Sequence, residues 1–192
     1  MDSKQGLPIV PFSSHEDWTA WLEEHHVTSE GLWLKLAKKG AGVDSVTYAE
    51  ALEIALCYGW IDSQKAGFDE RFFLQRFTPR RARSKWSKIN RAKATELIER
   101  GGMQPAGLRE VELAKADGRW EAAYASQSKA TVPDDLQREL DANPAAKAFF
   151  ADLDSANRYA ILYRIEEAKR PETRWRRIEK YIGMLERGET IH

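Results

Sequence analysis

The chain is poor in the residues that build metal and disulfide chemistry: one cysteine, Cys57, and four histidines in 192 residues. A lone thiol excludes an internal disulfide and a multi-cysteine zinc site. Of His15, His25, His26 and His192, only His25 and His26 are close in sequence. Adjacent residues on a helix point about 100° apart, so this pair does not share a metal from one regular helix, and no H-x-x-x-H or H-E-x-x-H string occurs. No metal and no cofactor are expected. Also absent are GxxxxGK[ST], GxGxxG and GxSxG strings, which removes support for common nucleotide and hydrolase chemistry, and no catalytic residue is assigned. No apolar run approaches the roughly 18–20 residues that a membrane-spanning helix needs, so no membrane insertion is expected. The stretch Met1 to Phe12 has one lysine and no continuous apolar segment, which does not read as a secretory signal. The cytoplasm is the expected compartment. Finally, there is no charge of a dominant sign: 30 basic residues balance 30 acidic ones.

What is present reads as α+β. Ser14 with Asp17 has the spacing of a helix cap, and Trp18, Trp21, Leu22 and His25 recur at helical intervals, predicting a first helix to about His26. Leu32 to Lys38 alternates like a half-buried strand. Thr47 and Glu50 form a capping box ahead of Tyr48, Ala51, Leu52, Ala55 and Leu56, and Gly59 stands where a left-handed C-terminal residue is wanted. Trp60–Lys65 and Arg71–Thr78 read as a hairpin joined by a Gly-containing loop. Beyond a basic link, Ser84 or Ser87 is expected to cap a helix carrying Ile89, Ala92, Leu97 and Ile98, and Pro105 opens another that closes near Asp117-Gly118. The expected organisation is an α+β domain over residues 14–119, a linker over 120–130 and an all-helical module over 131–188. In that module, starts are marked by Thr131-Pro133, Asn143-Pro144, Asp154-Ser155 and Pro171, with Trp175, Ile178, Ile182 and Leu185 on one stripe of the last helix.

The charge distribution carries the main functional signal. From Gln75 to Ala94 the chain holds Arg76, Arg80, Arg81, Arg83, Lys85, Lys88, Arg91 and Lys93 and no acidic residue. The link around Arg80–Lys85 lies between a strand end and a helix start, where backbone N–H groups also favour anions. Phe77, Trp86, Ser84, Ser87 and Asn90 interleave with the charges, a mixture that nucleic-acid surfaces use; the bland alternative is a solvated basic face over core aromatics. Just upstream, Asp62 follows Trp60. Alternation places Asp62 with Gln64 and Ser63 with Lys65 on opposite faces unless a bulge intervenes, which argues against a Ser-Lys nucleophile pair. Cys57 reads as a small buried side chain. A second basic run, Lys169-Arg170 with Arg174, Arg176, Arg177 and Lys180, surrounds the start of the last helix. Arginines there oppose the helix dipole, so a bound anion or a neighbouring acidic helix would account for them.

Two sets of strings carry a resemblance. Tyr48-Ala49-Glu50-Ala51-Leu52 through Gly59-Trp60-Ile61-Asp62-Ser63, Arg76-Phe77-Thr78-Pro79-Arg80 and Ser84-Lys85-Trp86-Ser87-Lys88-Ile89-Asn90 resemble the YdeI/OmpD-associated family, also called the bacteriocin-protection family. So do Ala168-Lys169-Arg170-Pro171-Glu172-Thr173-Arg174 and Arg177-Ile178. Together they span roughly residues 15 to 188. The resemblance implies a link to bacteriocin tolerance and to an outer-membrane porin, a phenotype and an association rather than a reaction. The polar and aromatic residues it picks out are Trp60, Asp62, Arg76, Thr78, Arg80, Ser84, Trp86, Ser87 and Asn90, with Lys169, Thr173, Arg174 and Arg177. These are the candidate ligand-binding residues, with both basic clusters expected to enclose one anion.

Three readings stand at this point. The first is a cytoplasmic binding module for an anionic partner, a phosphate-containing metabolite or nucleic acid, acting in stress or bacteriocin protection. The second is a small enzyme on a phosphorylated or carboxylated metabolite, with Asp62 as acid or base and arginines as clamps. The third is a helical module that docks a protein partner, for which an exposed apolar stripe beside Trp175 would be the sign.

Overall fold

A computed structural model describes residues 2–125 and 129–192, and the chain divides into two compact units. The first takes in the residues up to Trp86 and those from Asn90 to Ala123; the second takes in Ser87–Ile89 and Tyr124–His192. The fold is α+β, with a five-stranded sheet and eight helices among the described residues. None of these helices is long and apolar enough to cross a membrane.

In the first unit the strands are β1 (Ser3–Lys4), β2 (Leu7–Pro11), β3 (Leu32–Ala37), β4 (Trp60–Gly67) and β5 (Phe72–Pro79), in the order β1-β2-β3-β5-β4. β2 runs parallel to β3, and helix α1 (His15–His25) makes the crossover between them. The Ser14 hydroxyl caps α1 by accepting the Asp17 N–H at 3.2 Å, and Glu16 and Asp17 complement the dipole of the first turn. β1 and β2 have no counterpart in the reading from sequence, which begins its first domain at residue 14. Pro8 and Pro11 make Leu7–Pro11 a poor strand by local criteria, and its partners lie in β1 and in β3 across a whole helix.

β3 is buried on both faces, where alternation suggests only one. Leu32, Leu34 and Leu36 pack with Trp18, Leu22, Leu52, Leu56, Trp60 and Phe77 in the main core. Trp33 points the other way and clusters with Leu7 and Leu74. Its indole N–H donates to the Lys4 carbonyl at 2.9 Å, so the N-terminal hairpin covers a side chain that local sequence cannot show to be buried. A central strand covered on both sides is largely apolar, and in β3 only Lys35 interrupts the apolar run.

Helix α2 (Tyr48–Cys57) starts at the expected capping box. The Glu50 carboxylate accepts the Thr47 N–H at 2.8 Å, and the Thr47 hydroxyl accepts the Glu50 N–H at 3.3 Å. The helix ends at Gly59, whose φ of 74° lies in the left-handed region. In the β4–β5 hairpin a bulge interrupts the ladder: Asp62 pairs with Phe77, but the next pair is Lys65 with Gln75. Ser63 and Gln64 together face Arg76. Phe77 and Gln75 share one face of β5, so the bulge brings Asp62 and Lys65 onto the same face. Helices α3 (Lys88–Glu99) and α4 (Pro105–Ala116) complete the elements of this half of the sequence, α4 opening at the expected proline.

Trp120 and Ala123, which fall in the expected linker, are buried in the first unit's core. Residues 126–128 of that linker lie outside the described residues. The second unit contains α5 (Asp134–Ala142), α6 (Pro144–Asp152), α7 (Ser155–Glu166) and α8 (Pro171–Glu186). Asn143 caps α6 and Asp154 caps α7 through their side chains, as their positions suggest. The buried set on α8 is Ile178, Tyr181, Met184 and Leu185, with Ile182 half-buried and Trp175 51% exposed. The predicted stripe is therefore rotated. The buried arc centres near Tyr181 and Leu185, which places Trp175 roughly 100° to its side.

Gly107 supplies a test of the packing between α4 and the end of α2. A Cβ there would lie 2.3 Å from the Cys57 carbonyl oxygen, 2.6 Å from the Met103 sulfur and 2.7 Å from the Leu56 carbonyl oxygen. Alanine ordinarily stabilises a helix interior relative to glycine by about 1 kcal/mol. At this contact the sign reverses: Gly107→Ala is expected to lose about 1–3 kcal/mol through overpacking. A lower urea midpoint at unchanged m-value would register the loss, and an unchanged or raised midpoint would contradict it.

Candidate anion-binding site

The basic link between β5 and α3 is built on an inward-pointing cation. The Arg80 N–H donates to the Gly59 carbonyl at 2.9 Å, which ties the end of β5 to the turn after α2. Its side chain is buried, with 7% of its surface exposed. The guanidinium carbon lies 3.5 Å from the centroid of the Trp86 ring, and Nη1 donates to the Lys85 carbonyl at 3.2 Å. Trp86, 1% exposed, meets Trp120 in a T-shaped contact with centroids 4.9 Å apart. A guanidinium on a desolvated indole face is held by the ring's quadrupole, an interaction worth about 2 kcal/mol when water is excluded.

Around this anchor the chain makes a tight turn. The Ser84 N–H donates to the Arg81 carbonyl at 2.8 Å, and the Arg81 N–H donates to the Ser84 hydroxyl at 2.9 Å. Ser84 therefore closes a turn rather than capping α3. Arg119 fastens the turn from a distance, donating Nη1 to the Ser84 carbonyl at 2.8 Å while Nε pairs with Asp117 at 2.7 Å. With the backbone so held, Arg81, Arg83 and Lys85 are exposed. Farther along the acid-free run, Arg91 donates to the Trp120 carbonyl at 3.1 Å and lies 3.6 Å from Glu121, and Lys93 lies 4.0 Å from Glu53. The run thus contains exposed cations, Arg81, Arg83 and Lys85, beside cations such as Arg80 and Arg91 whose side chains bond to backbone carbonyls.

The other candidates of the first unit have mainly structural surroundings. Trp60 is fully buried and its indole N–H donates to the His26 carbonyl at 3.1 Å. Asp62 is half-buried and accepts the Tyr48 hydroxyl at 2.8 Å. Arg76 and Thr78 are half-buried on β5, on the sheet face that also holds Trp33 and Ile61. Asn90 is buried in α3. Burial pushes the Cys57 thiol up to about 11, so it stays protonated. Among the described residues, no group of three or more His, Cys, Asp or Glu side chains is placed to hold a metal ion.

In the second unit, Ser87 forms a parallel bridge with Tyr124. Lys169 is exposed and Thr173 half-buried. Arg174 engages both carboxylate oxygens of Asp135, one at 2.8 Å, and its Nη1 donates to the Ile165 carbonyl at 3.0 Å. Arg177 donates to the Arg164 carbonyl and lies 3.6 Å from Glu167. These two arginines sit early in α8 but reach back to the carbonyl end of α7, which accounts for cations at an unfavourable dipole end. The sequence points to the Arg80–Lys85 link as a place for an anion, but the candidate ligand-binding residues drawn from it include Arg80 and Arg174, whose charges are turned into the fold, and leave out Arg81, Arg83 and Lys85, which are exposed. The separating signal is three-dimensional: Trp86 and Trp120 provide the surface on which Arg80 is buried.

Comparison with protein families gives two matches. Residues 10–110 match a family model described as Domain of unknown function (DUF8412). Residues 129–188 match the model described as Bacteriocin-protection, YdeI or OmpD-Associated. The motifs of the first half that resemble the latter family thus fall in the region covered by the former, and the tail motifs fall in the matched module. No curated protein and no solved structure matches the chain.

The Arg174–Asp135 pair makes a pH-dependent prediction. Hydrogen bonds from Arg174 hold the Asp135 carboxyl below its ordinary value of 3.8. A depressed folded-state pKa adds stability above the unfolded value and loses it as pH falls through the folded value. The stability gap between the native chain and Asp135→Asn is therefore expected to be full at neutral pH and to close below about pH 3.8. Thermal melts across that range check this, and a gap that widens in acid would overturn it.

Proposed function

We propose a binding function from this premise: the chain belongs to the family described as Domain of unknown function (DUF8412), and its residues 129–188 are a bacteriocin-protection, YdeI or OmpD-associated domain. The function is that of a cytoplasmic binding module whose first unit holds an anionic ligand on the β5–α3 turn, in a stress or bacteriocin-protection role. The supporting observation is the exposed trio Arg81, Arg83 and Lys85 on a turn that is fastened from beneath by Arg80, Trp86 and Arg119.

Guanidinium groups bind phosphate oxygens through paired, charge-assisted hydrogen bonds, and a lysine adds a compact charge beside them. A turn whose backbone is already ordered gives up less freedom on binding than a loose one. The acid-free sequence around it leaves an incoming anion without a nearby repelling carboxylate on the same segment. The ligand class is a phosphate group carried by a metabolite or by nucleic acid. In this reading Arg80 and Trp86 are the platform, and the three exposed cations make the contact.

A second reading has its own observation. Trp175 stands half in solvent, lining a recess with Asp135, Arg174 and Glu179, which favours docking of a protein partner on the first turns of α8.

The test of the leading reading is thermal stability against inorganic phosphate, nucleotides, sugar phosphates and short DNA and RNA, with the native chain and with Arg81→Ala/Arg83→Ala/Lys85→Ala. A ligand at 100 times its Kd is expected to add about 2.7 kcal/mol to the native chain and nothing to the triple variant. Nucleic acid would reveal itself by affinity that falls steeply with salt, the slope shrinking by about 0.9 for each phosphate contact removed from duplex DNA. No stabilisation by any member of the panel, or stabilisation that survives the triple substitution, would reject the site.

A further inference from the structure

The helical unit contains a recess of about 400 Å³ lined by Ala130, Leu153, Ser155, Arg158, Tyr159 and Leu162. This volume falls within the range typical of small-molecule pockets. Leu153 and Leu162 are buried and Ala130 is half-buried, and they supply the apolar half of a wall that is polar on its other half. Three side chains bring polarity to it. The Tyr159 hydroxyl donates to the Ala125 carbonyl at 2.9 Å, and burial pushes its pKa up to about 12, so it carries no charge at neutral pH. Ser155, at the first position of α7, contributes a hydroxyl. Among the described lining residues Arg158 is the one that carries a charge.

The surroundings of Arg158 are unlike those of Arg174 and Arg177. Its Nη2 donates to the Phe150 and Ala151 carbonyls at 3.3 and 2.6 Å, which fixes the guanidinium against the end of α6. Its Nε–H is buried and donates to no acceptor among the described residues. Among the described residues Arg158 forms no ion pair with a carboxylate, whereas Arg174 has Asp135 and Arg177 has Glu167. A half-buried cation without an anion is costly, and an anion placed beside it offsets that cost.

We infer that this recess is a binding site for a small amphipathic carboxylate, with the carboxyl group toward Arg158 and Ser155 and a short apolar body against Leu153, Leu162 and Ala130. The charge count selects the head group. One guanidinium neutralises one carboxylate, whereas a phosphate monoester near its second ionisation would leave excess negative charge against the apolar half of the wall. Its described lining residues all belong to the second unit, so it does not depend on the reading of the basic turn.

Sodium hexanoate is the probe, titrated into the full chain and followed by amide chemical shifts, with hexanol and inorganic phosphate as parallel arms. Saturable shifts centred on Ser155, Arg158, Tyr159 and Leu162 are expected with hexanoate at a Kd of about 1 mM or tighter. Hexanol and the Arg158→Gln variant are each expected to weaken binding at least about tenfold, and inorganic phosphate is expected to leave these amides in place. Ala130→Leu, which narrows the recess without touching the α6 carbonyls, is expected to abolish the hexanoate shifts and keeps the test decisive if Arg158→Gln fails to fold. Equal binding of hexanol would reduce the site to an apolar recess, and phosphate-induced shifts would reassign its head group. Hexanoate binding that survives Ala130→Leu, or no saturable shift at all, would remove the site; each of these outcomes overturns the inference.

Discussion

The burial of Arg80 is the constraint on which the β5–α3 link depends. Removing a guanidinium from water carries a penalty of several kcal/mol unless the charge meets compensating groups. Here the ring of Trp86 and the Lys85 carbonyl are among them, and both are supplied by the link itself. The cation can stay inside only if the chain bends so that residue 86 returns beneath residue 80. That bend produces the Arg81–Ser84 turn and leaves the side chains of Arg81 and Arg83 on its outer surface. Trp120, packed edge-on against Trp86, ties this arrangement to the segment after α4.

The same chemistry recurs wherever a helix or turn leaves carbonyl oxygens unsatisfied. Arg71 donates to Ala41, Arg91 to Trp120, Arg119 to Ser84, Arg174 to Ile165 and Arg177 to Arg164, each through a side-chain N–H to a backbone oxygen. A planar group with five donors can serve one carbonyl and still face a carboxylate, as Arg174 does with Asp135. Many of the chain's arginines therefore act as fasteners between segments distant in sequence. Their charge is a by-product of that role, and a count of basic residues overstates the charge available to a ligand.

This explains what could be read from the sequence. Features decided within four residues were legible: the Thr47–Glu50 box, the Ser14, Asn143 and Asp154 caps, the prolines that open α4, α6 and α8, and the glycine that ends α2. Features decided by distant partners were not. The parallel pairing of Leu7–Pro11 with β3 crosses a helix, and the burial of β3's second face at Trp33 depends on Lys4, Leu7 and Leu74. The bulge at Ser63-Gln64 was recognised only as a condition that would alter the facing of Asp62 and Lys65. At the candidate site the acid-free run was visible as composition, but its division into inward and outward cations rests on Trp120, 34 residues beyond Trp86. The Arg158 recess gave no signal, because a single arginine on a helix has no pattern until its neighbours are known.

Neutrality of the whole chain does not weaken the case for a local anion site. At physiological ionic strength the screening length is about 8 Å, so exposed charges farther away contribute little to the potential at the turn. What an approaching phosphate meets is set by groups within that distance, and the segment itself contributes Arg81, Arg83 and Lys85 with no carboxylate between Gln75 and Ala94. A balanced total also limits long-range attraction to polyanions in general. The local charge can then select an anion that reaches the turn, while the molecule as a whole has little tendency to accumulate on every negatively charged surface.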